Sequence, residues 1–401
     1  MRGRVLAVDD HIVIVRGERA DYRIERHILP SAQPGELVVV NREIDGEFAR
    51  RVRFYEGPPY PGPGTEVARL PRARMTALHH RANALAAVRA YFASQDFLEV
   101  ETPLLVPSPG LEIHLDAVPA GGGYLITSPE YQMKRLLAGG FERIYQVCKC
   151  FRGNEHGPHH AGEFTMIEWY RAYDSLESII RDTEQLVARV VTALIGTTEI
   201  PVAGEGRPWE QFVLDVAPPW PRKTVRAAMK EWAGVEVIGD EPASALVAKV
   251  RTAGIEVDDA AAWDDAFFAA FLARVEPRIA TLTTPLILHD WPAPLAALAR
   301  RREDDPLTAL RFEAYLGGIE LANAFDELVD PVEQRTRFED DLRIRRERGR
   351  AVYPIDDKLI AALAEGLPPS AGIALGFDRL VMVATGARSI DQVLTFTADE
   401  L

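Results

Sequence analysis

Three observations predict a mixed α/β or α+β chain in two parts. Residues 1–56 are short β-like runs punctuated by turn residues. The stretch GPPYPGPG at 57–64 breaks that pattern, because its prolines and glycines suit neither a helix nor a central strand. Beyond about residue 70, long helical patterns are scattered among strands without the regular strand–helix–strand repeat of a parallel sheet.

In the first part, GRVLAVD, HIVIVRG, YRIERHIL, ELVVVNRE and ARRVRFYE read as strands, with Pro34-Gly35-Glu36 turning into the fourth. They suit a small β-rich domain of OB-like size over 1–56, followed by a linker over 57–71. MTALHHRANALAAVRAYFASQDF (75–97) carries apolar residues at helical spacing. LEVETPLLV is extended and contains Pro103. GGYLITSPEYQMKRLLAGG gives a strand, a turn at Ser128-Pro129 and a helix ending at Gly139-Gly140. YQVCKCFR and EFTMIEWY alternate as two strands around the loop GNEHGPHHAG. Residues 174–197 and 222–275 read as helices around an irregular Pro- and Trp-rich piece at 201–221. TPLILHDWP is a buried strand, and FEAYLGGIELANAFDELVD is strand–turn–strand. VEQRTRFEDDLRIRRERGR is a helix, and AGIALGFDRLVMVATG is a strand followed by a helix.

The 401 residues are 47% hydrophobic and 26% charged, an ordinary globular balance that can bury a sizeable core. A net charge of −14 disfavours extended wrapping of a nucleic-acid backbone. Arg343, Arg345, Arg346, Arg348 and Arg350 are interleaved with acidic residues, so they are expected on a solvated, ion-paired helix. Cys148 and Cys150 form neither a disulfide framework nor a zinc set and are expected as ordinary strand residues in a reducing compartment. No apolar run spans a bilayer, and the N-terminus is interrupted by Asp9, Asp10 and His11, so a cytoplasmic location is expected.

The chain has no phosphate-binding GxxxxGK[ST] loop, Rossmann fingerprint or GxSxG elbow. Polar chemistry instead concentrates in residues 150–170, where one arginine, three histidines, three carboxylates and four aromatics share 21 positions. Other polar clusters are Ser128-Pro129-Glu130, Glu320 with Asn323 and Glu327, and Gly376-Phe377-Asp378-Arg379. Glu320 and Glu327 would face opposite sides of a regular strand, but a bend at 322–324 would bring both to one pocket.

Together these segments resemble the class II aminoacyl-tRNA synthetases. FLEVETPLL is similar to their motif 1, FR…EFTMIEWY to motif 2, and GIALGFDRL, with Arg379, to motif 3. EFTMIEWY and GIELANAFDEL resemble the lysyl branch, and TSPEYQMKRLL with GIALGFDRLVMVATGA resembles its paralogues that modify elongation factor P. The resemblance covers about 72–401 and implies an α+β catalytic domain, an antiparallel sheet flanked by helices. It implies activation of lysine or (R)-β-lysine by ATP and Mg²⁺, then transfer to a lysine of elongation factor P. Arg152 and Arg379 would be the catalytic arginines, with Arg152 on the α-phosphate and substrate carboxylate and Arg379 on the γ-phosphate. Phe164 would stack on adenine, with His160, Asn154 and Leu321 completing the ATP contacts. Glu320 and Glu327 would hold Mg²⁺. Glu130 would meet the amino group near the carboxyl end, with Ser128 also in the amino-acid pocket. Glu168, Tyr170 and Glu327 would meet the distal ammonium, while Asn323, Ala374 and Gly376 line the pocket. Ala374 stands where lysyl-tRNA synthetases carry glycine.

The loop departs from the family's pattern. Its Arg-Asn-Glu becomes Arg152-Gly153-Asn154, with a glutamate only at Glu155, and His-Asn-Pro-Glu-Phe becomes His160-Ala161-Gly162-Glu163-Phe164. This departure motivates an alternative, a non-catalytic regulator that binds an amino acid or nucleotide. Charging of tRNA is the other alternative, disfavoured by the acidic chain and by the roughly 70 residues ahead of the synthetase-like part. Homodimerisation through the motif 1 helix and strand is implied by the same resemblance.

Overall fold

The two alternating segments around the polar loop pair as an antiparallel hairpin, Arg143–Phe151 with Glu163–Ala172. It lies within an eight-stranded sheet of a computed structural model. The model describes all residues except 44–45, 54–59, 61, 63–64 and 204–210. Most of the Pro/Gly part of the expected linker lies outside the described residues.

The sheet runs in the order Arg222–Thr224, Leu286–Pro292, Thr308–Leu316, Ile319–Asp326, Ser370–Gly376, Glu163–Ala172, Arg143–Phe151, Leu98–Glu99. The inner strands are all antiparallel to their neighbours, and only the two short edge strands pair in parallel. This is the α+β architecture expected from the motifs. The helix Leu176–Ile195 packs on the sheet through Ile179, Leu186, Val187, Val190 and Val191. Four-residue apolar spacing creates that stripe.

The chain divides into two compact units, Met1–Ala82 with Gln392–Leu401, and Asn83–Asp391. In the first unit the five predicted strands form one antiparallel sheet over a core of Val5, Val13, Val15, Ile24, Leu29, Val38 and Val40. The third run stops at Glu25 and turns into a short 3₁₀ helix, Arg26–Ile28. The C-terminal segment belongs to this unit. There the Arg69 guanidinium lies 4.0 Å from the Phe396 ring centre, and Arg74 donates to Glu400 at 2.5 Å.

In the second unit the predicted irregular piece contains a hairpin, Glu199–Ala203 with Gln211–Asp215. The expected helices of 222–275 are interrupted by π-turns at Met229–Ala233 and Phe271–Val275. A helix at Asp357–Gly366 has no counterpart in the sequence reading. Asp356 caps it by accepting the Lys358 and Leu359 N–H groups, and it buries Leu359, Ile360 and Leu363.

The arginine cluster corrects an expectation. Arg343 is an exposed ion-paired residue as anticipated, bonded to Asp340 and Glu347. Arg345 is instead wholly buried. It donates to the carbonyls of Glu112, Ile113, Leu115 and Ala351 and to the Asp116 carboxylate. A guanidinium's fork of donors can satisfy one loop's carbonyls together, which a charge pattern alone does not reveal.

Under the long helix Arg72–Ser94, Asp182 accepts from Arg171 at 2.6 and 2.8 Å and from the Tyr91 hydroxyl at 2.8 Å, with all three residues buried. Asp182→Ala would strand the guanidinium. It should cost about 3 kcal/mol of unfolding free energy in urea titration, whereas a loss below about 1 kcal/mol would mean water replaces the carboxylate.

Candidate active site

Register assembles the site from strands distant in sequence. Across five strands, Glu313, Asn323, Ala374, Glu168 and Gln146 are successive partners. They therefore project from one face of the sheet. The adjacent row is Arg311, Phe325, Gly372, Tyr170 and Ile144. Between Ala314↔Ala322 and Tyr315↔Glu320 the register shifts, leaving Leu321 as an extra residue. This bulge lies one residue before the expected bend at 322–324 and turns Glu320 onto the same face as Asn323.

Five sequence-predicted residues meet in one buried cluster. Glu168 accepts from the Ser128 hydroxyl and the Tyr170 hydroxyl, both at 2.6 Å. Glu130 and Glu327 each lie 2.6 Å from the Lys134 ammonium. Burial, reinforced by the charge of Glu130, pushes the Glu168 carboxyl up to about 8. Burial also lifts Glu327 to about 8, against the lowering effect of Lys134. For Lys134 burial acts downward, but Glu130 and Glu327 together outweigh it and hold the ammonium above its usual value. Ala374 is the smallest side chain of the row, between Asn323 and Glu168.

The residues expected to meet ATP gather around the hairpin loop. The Arg152 guanidinium lies 5.1 Å from the centre of the Phe164 ring, and its Nη1 is 3.6 Å from Glu155. The glutamate one position beyond its usual place thus still reaches the arginine. Asn154 takes a left-handed backbone, φ 63°, and Gly153 donates its N–H to the Asp116 carbonyl at 2.6 Å. Asp116 is one of the groups held by Arg345, so that buried arginine supports the loop indirectly. Arg379 donates to the carbonyls of Glu320 (2.7 Å) and His159 (3.2 Å) and contacts the His160 ring at 2.7 Å. Gly376 lies under its side chain, a Cβ there falling 3.4 Å from Arg379 Cδ. Asp378 accepts the Thr165 N–H at 2.6 Å and so ties the motif 3 helix to the strand bearing Phe164. Cys148 and Cys150 are buried on this face with their sulfurs 3.9 Å apart, a pair of free thiols.

The metal pair is corrected. Glu320 and Glu327 share a face but are separated by the positions of Asn323 and Phe325, roughly 20 Å along an extended strand. One ion cannot bridge that span, and Glu327 is ion-paired with Lys134. The carboxylate beside Glu320 is Glu313, which burial and then the charge of Glu320 lift to about 7. Two mutually repelling carboxylates are a donor set that a divalent cation would relieve.

The sequence reading also missed Arg311, which donates to Glu313 (2.6 Å) and Asn323 (3.1 Å) while lying 4.3 Å from the Trp291 ring centre. Its signal was the alternation Arg311, Glu313, Tyr315 on one strand. Glu112 was missed as well. Its Oε2 is buried without a hydrogen-bond partner, beside a cavity of about 10 Å³ lined by Ser128, Glu130 and Tyr131.

The family model for tRNA synthetases class II (D, K and N) matches residues 67–400, and the chain belongs to this family. Within it the chain is 37% identical over 333 residues to the lysine–tRNA ligase of Dehalococcoides mccartyi, covering 81% of this chain and 64% of that protein. It is 38% identical over 339 residues to the elongation factor P–(R)-β-lysine ligase of Klebsiella pneumoniae, covering 82% of this chain and 97% of that protein. The protein of that name from Salmonella typhi matches to the same extent. The chain thus spans just under two-thirds of the length of the lysine–tRNA ligases it matches. No helix among the described residues is long and apolar enough to cross a membrane.

Two outcomes follow from the geometry. A Cβ on Gly372 would sit 2.2 Å from the Tyr170 ring and 2.8 Å from Glu327 Oε1. Gly372→Ala should therefore weaken amino-acid binding about tenfold or more while leaving ATP binding within about twofold, read by calorimetry. Second, burial holds the Glu168 carboxyl at about 8, above the ordinary carboxylate range, so it is largely protonated at neutral pH. An entering ammonium needs the ionised form, so affinity for a diamino acid should rise from about pH 6 towards 8 and then level off. A flat profile would show that Glu168 is already ionised.

Proposed function

We propose that the chain is an ATP-dependent, AMP-forming ligase that activates lysine or (R)-β-lysine and transfers it to a lysine of elongation factor P. The observation that carries this reading is the buried cluster of Glu130, Glu168 and Glu327 with Ser128 and Tyr170. Carboxylates withdrawn from water suit ammonium groups and reject neutral analogues of similar shape. The near-complete coverage of relatives named elongation factor P–(R)-β-lysine ligase supports the acceptor.

In the first step a carboxylate oxygen of the amino acid attacks the α-phosphorus of ATP, and pyrophosphate leaves. Arg152 neutralises the carboxylate and the α-phosphate, and Arg379 the γ-phosphate, so the chemistry depends on position and charge. Phe164 offers its ring to adenine, with Asn154, His160 and the backbone at Leu321 around the nucleotide. Mg²⁺, held by Glu320 with Glu313, would supply charge neutralisation on the phosphates. In the second step the amine of an elongation factor P lysine attacks the acyl carbon, and AMP leaves. We further place the chain in the cytoplasm, as a homodimer.

Transfer to tRNA is the second reading, favoured by the similar identity to lysine–tRNA ligases. ATP–pyrophosphate exchange with lysine and with (R)-β-lysine tests the ligase. Exchange should occur, and Arg152→Ala should reduce it at least about a thousandfold. Exchange with no diamino acid would support the non-catalytic regulator. Mass spectrometry after incubation with elongation factor P and with tRNA then decides the acceptor, and a mass increase on tRNA alone would overturn the proposal.

A further inference from the structure

Lys134 is a cation built into a pocket whose carboxylates suit incoming cations. It is 2% exposed, and its ammonium lies 2.6 Å from both Glu130, one turn earlier on its own helix, and Glu327, just past the end of the strand Ile319–Asp326. Both carboxylates are buried, at 8% and 1% exposure. A buried ammonium is costly, and an apolar residue of similar length would fill the same volume more cheaply. Packing alone therefore does not account for a lysine here.

We propose that Lys134 is a positioning residue for the amino-acid substrate, a built-in counter-ion that fixes Glu130 and Glu327 and sets the pocket's charge to match two substrate ammonium groups. This rests on the ligase reading above and adds the residue that tunes its specificity. The pocket holds three carboxylates, Glu130, Glu168 and Glu327, and one ammonium, which touches Glu130 and Glu327. The partners of Glu168 are hydroxyls and bring no charge. Once an entering ammonium draws the proton from Glu168, the three carboxylates exceed the Lys134 charge by two, the number of ammonium groups on a diamino acid, whose own carboxylate is left for Arg152. The remaining charged neighbours do not alter this count. Glu112, beyond Glu130, is pushed towards its neutral acid by burial and faces Arg152 and Arg345. Asp326 is paired with Arg300.

The location of Lys134 explains why it positions rather than recognises. It joins the helix Glu130–Ala138 to the end of the strand Ile319–Asp326, so that the two carboxylates from separate elements are held at one spacing. Without it they would repel each other, take up protons or turn away, and substrate ammonium groups would meet a pocket of wrong charge and shape. Among the described residues, Arg152, Phe164 and Arg379 on the ATP side bond to groups other than Lys134, so that side should be insensitive to its loss.

The test is exchange kinetics on the full chain, with wild type assayed first. Lys134→Met should raise the KM for the diamino acid about tenfold or more, with the KM for ATP within about twofold. In Lys134→Ala, added ethylammonium, which carries the missing charge, should recover part of the lost amino-acid affinity. An unchanged amino-acid KM, or equal rises for amino acid and ATP without ethylammonium recovery, would overturn the proposal. If neither variant binds ATP, the wild-type chain decides. 1,5-Diaminopentane should compete with the amino acid about a hundredfold better than pentylamine, and equal inhibition would overturn the charge count. Wild type that exchanges beside an indifferent Lys134 variant removes only this inference, whereas wild type that exchanges with no diamino acid removes the ligase reading and this inference with it.

Discussion

Each strand of an antiparallel sheet sends alternate side chains to one face, so the hydrogen-bond register decides which distant residues become neighbours. Here one register row joins Glu313, Asn323, Ala374, Glu168 and Gln146 from five strands. A one-residue slip of any strand would turn its contribution away from the pocket. The bulge at Leu321 is a local exception to the same rule. It costs a ladder position and in return puts Glu320 on the working face.

That face carries more negative charge than a protein interior tolerates without help. The structure meets this in three different ways. Glu168 receives two hydroxyl hydrogen bonds, Glu130 and Glu327 share one ammonium, and Glu313 is held by a guanidinium and a phenol. The solutions differ because the demands differ. Hydroxyls leave a carboxyl free to change protonation when a cation enters, whereas an ion pair fixes position and charge together.

Loop placement depends on backbone contacts that side-chain patterns do not encode. Arg345 gathers the carbonyls of Glu112, Ile113 and Leu115, that segment places Asp116, and the Asp116 carbonyl receives the Gly153 N–H in the polar loop. Gly153 suits this approach, since a Cβ there would lie 3.3 Å from the Asp116 carbonyl oxygen. The residue that departs from the family's usual Arg-Asn-Glu therefore has a local physical role.

Period-two alternation and turn residues in the sequence predicted a mixed α/β or α+β chain, the hairpin and most of the strands. The resemblance of its motifs to the class II synthetases implied the α+β class and the grouping of Ser128, Glu130, Glu168, Tyr170 and Glu327. The sequence did not determine the partner of Glu320, the capture of Glu327 by Lys134, the burial of Arg345 or the need for Gly372. Each of those depends on which atoms meet across elements far apart in the chain. A lysine or arginine in a charged run reads as solvated until packing removes its water, and a glycine in a strand reads as weak until a neighbouring ring occupies the space its side chain would fill.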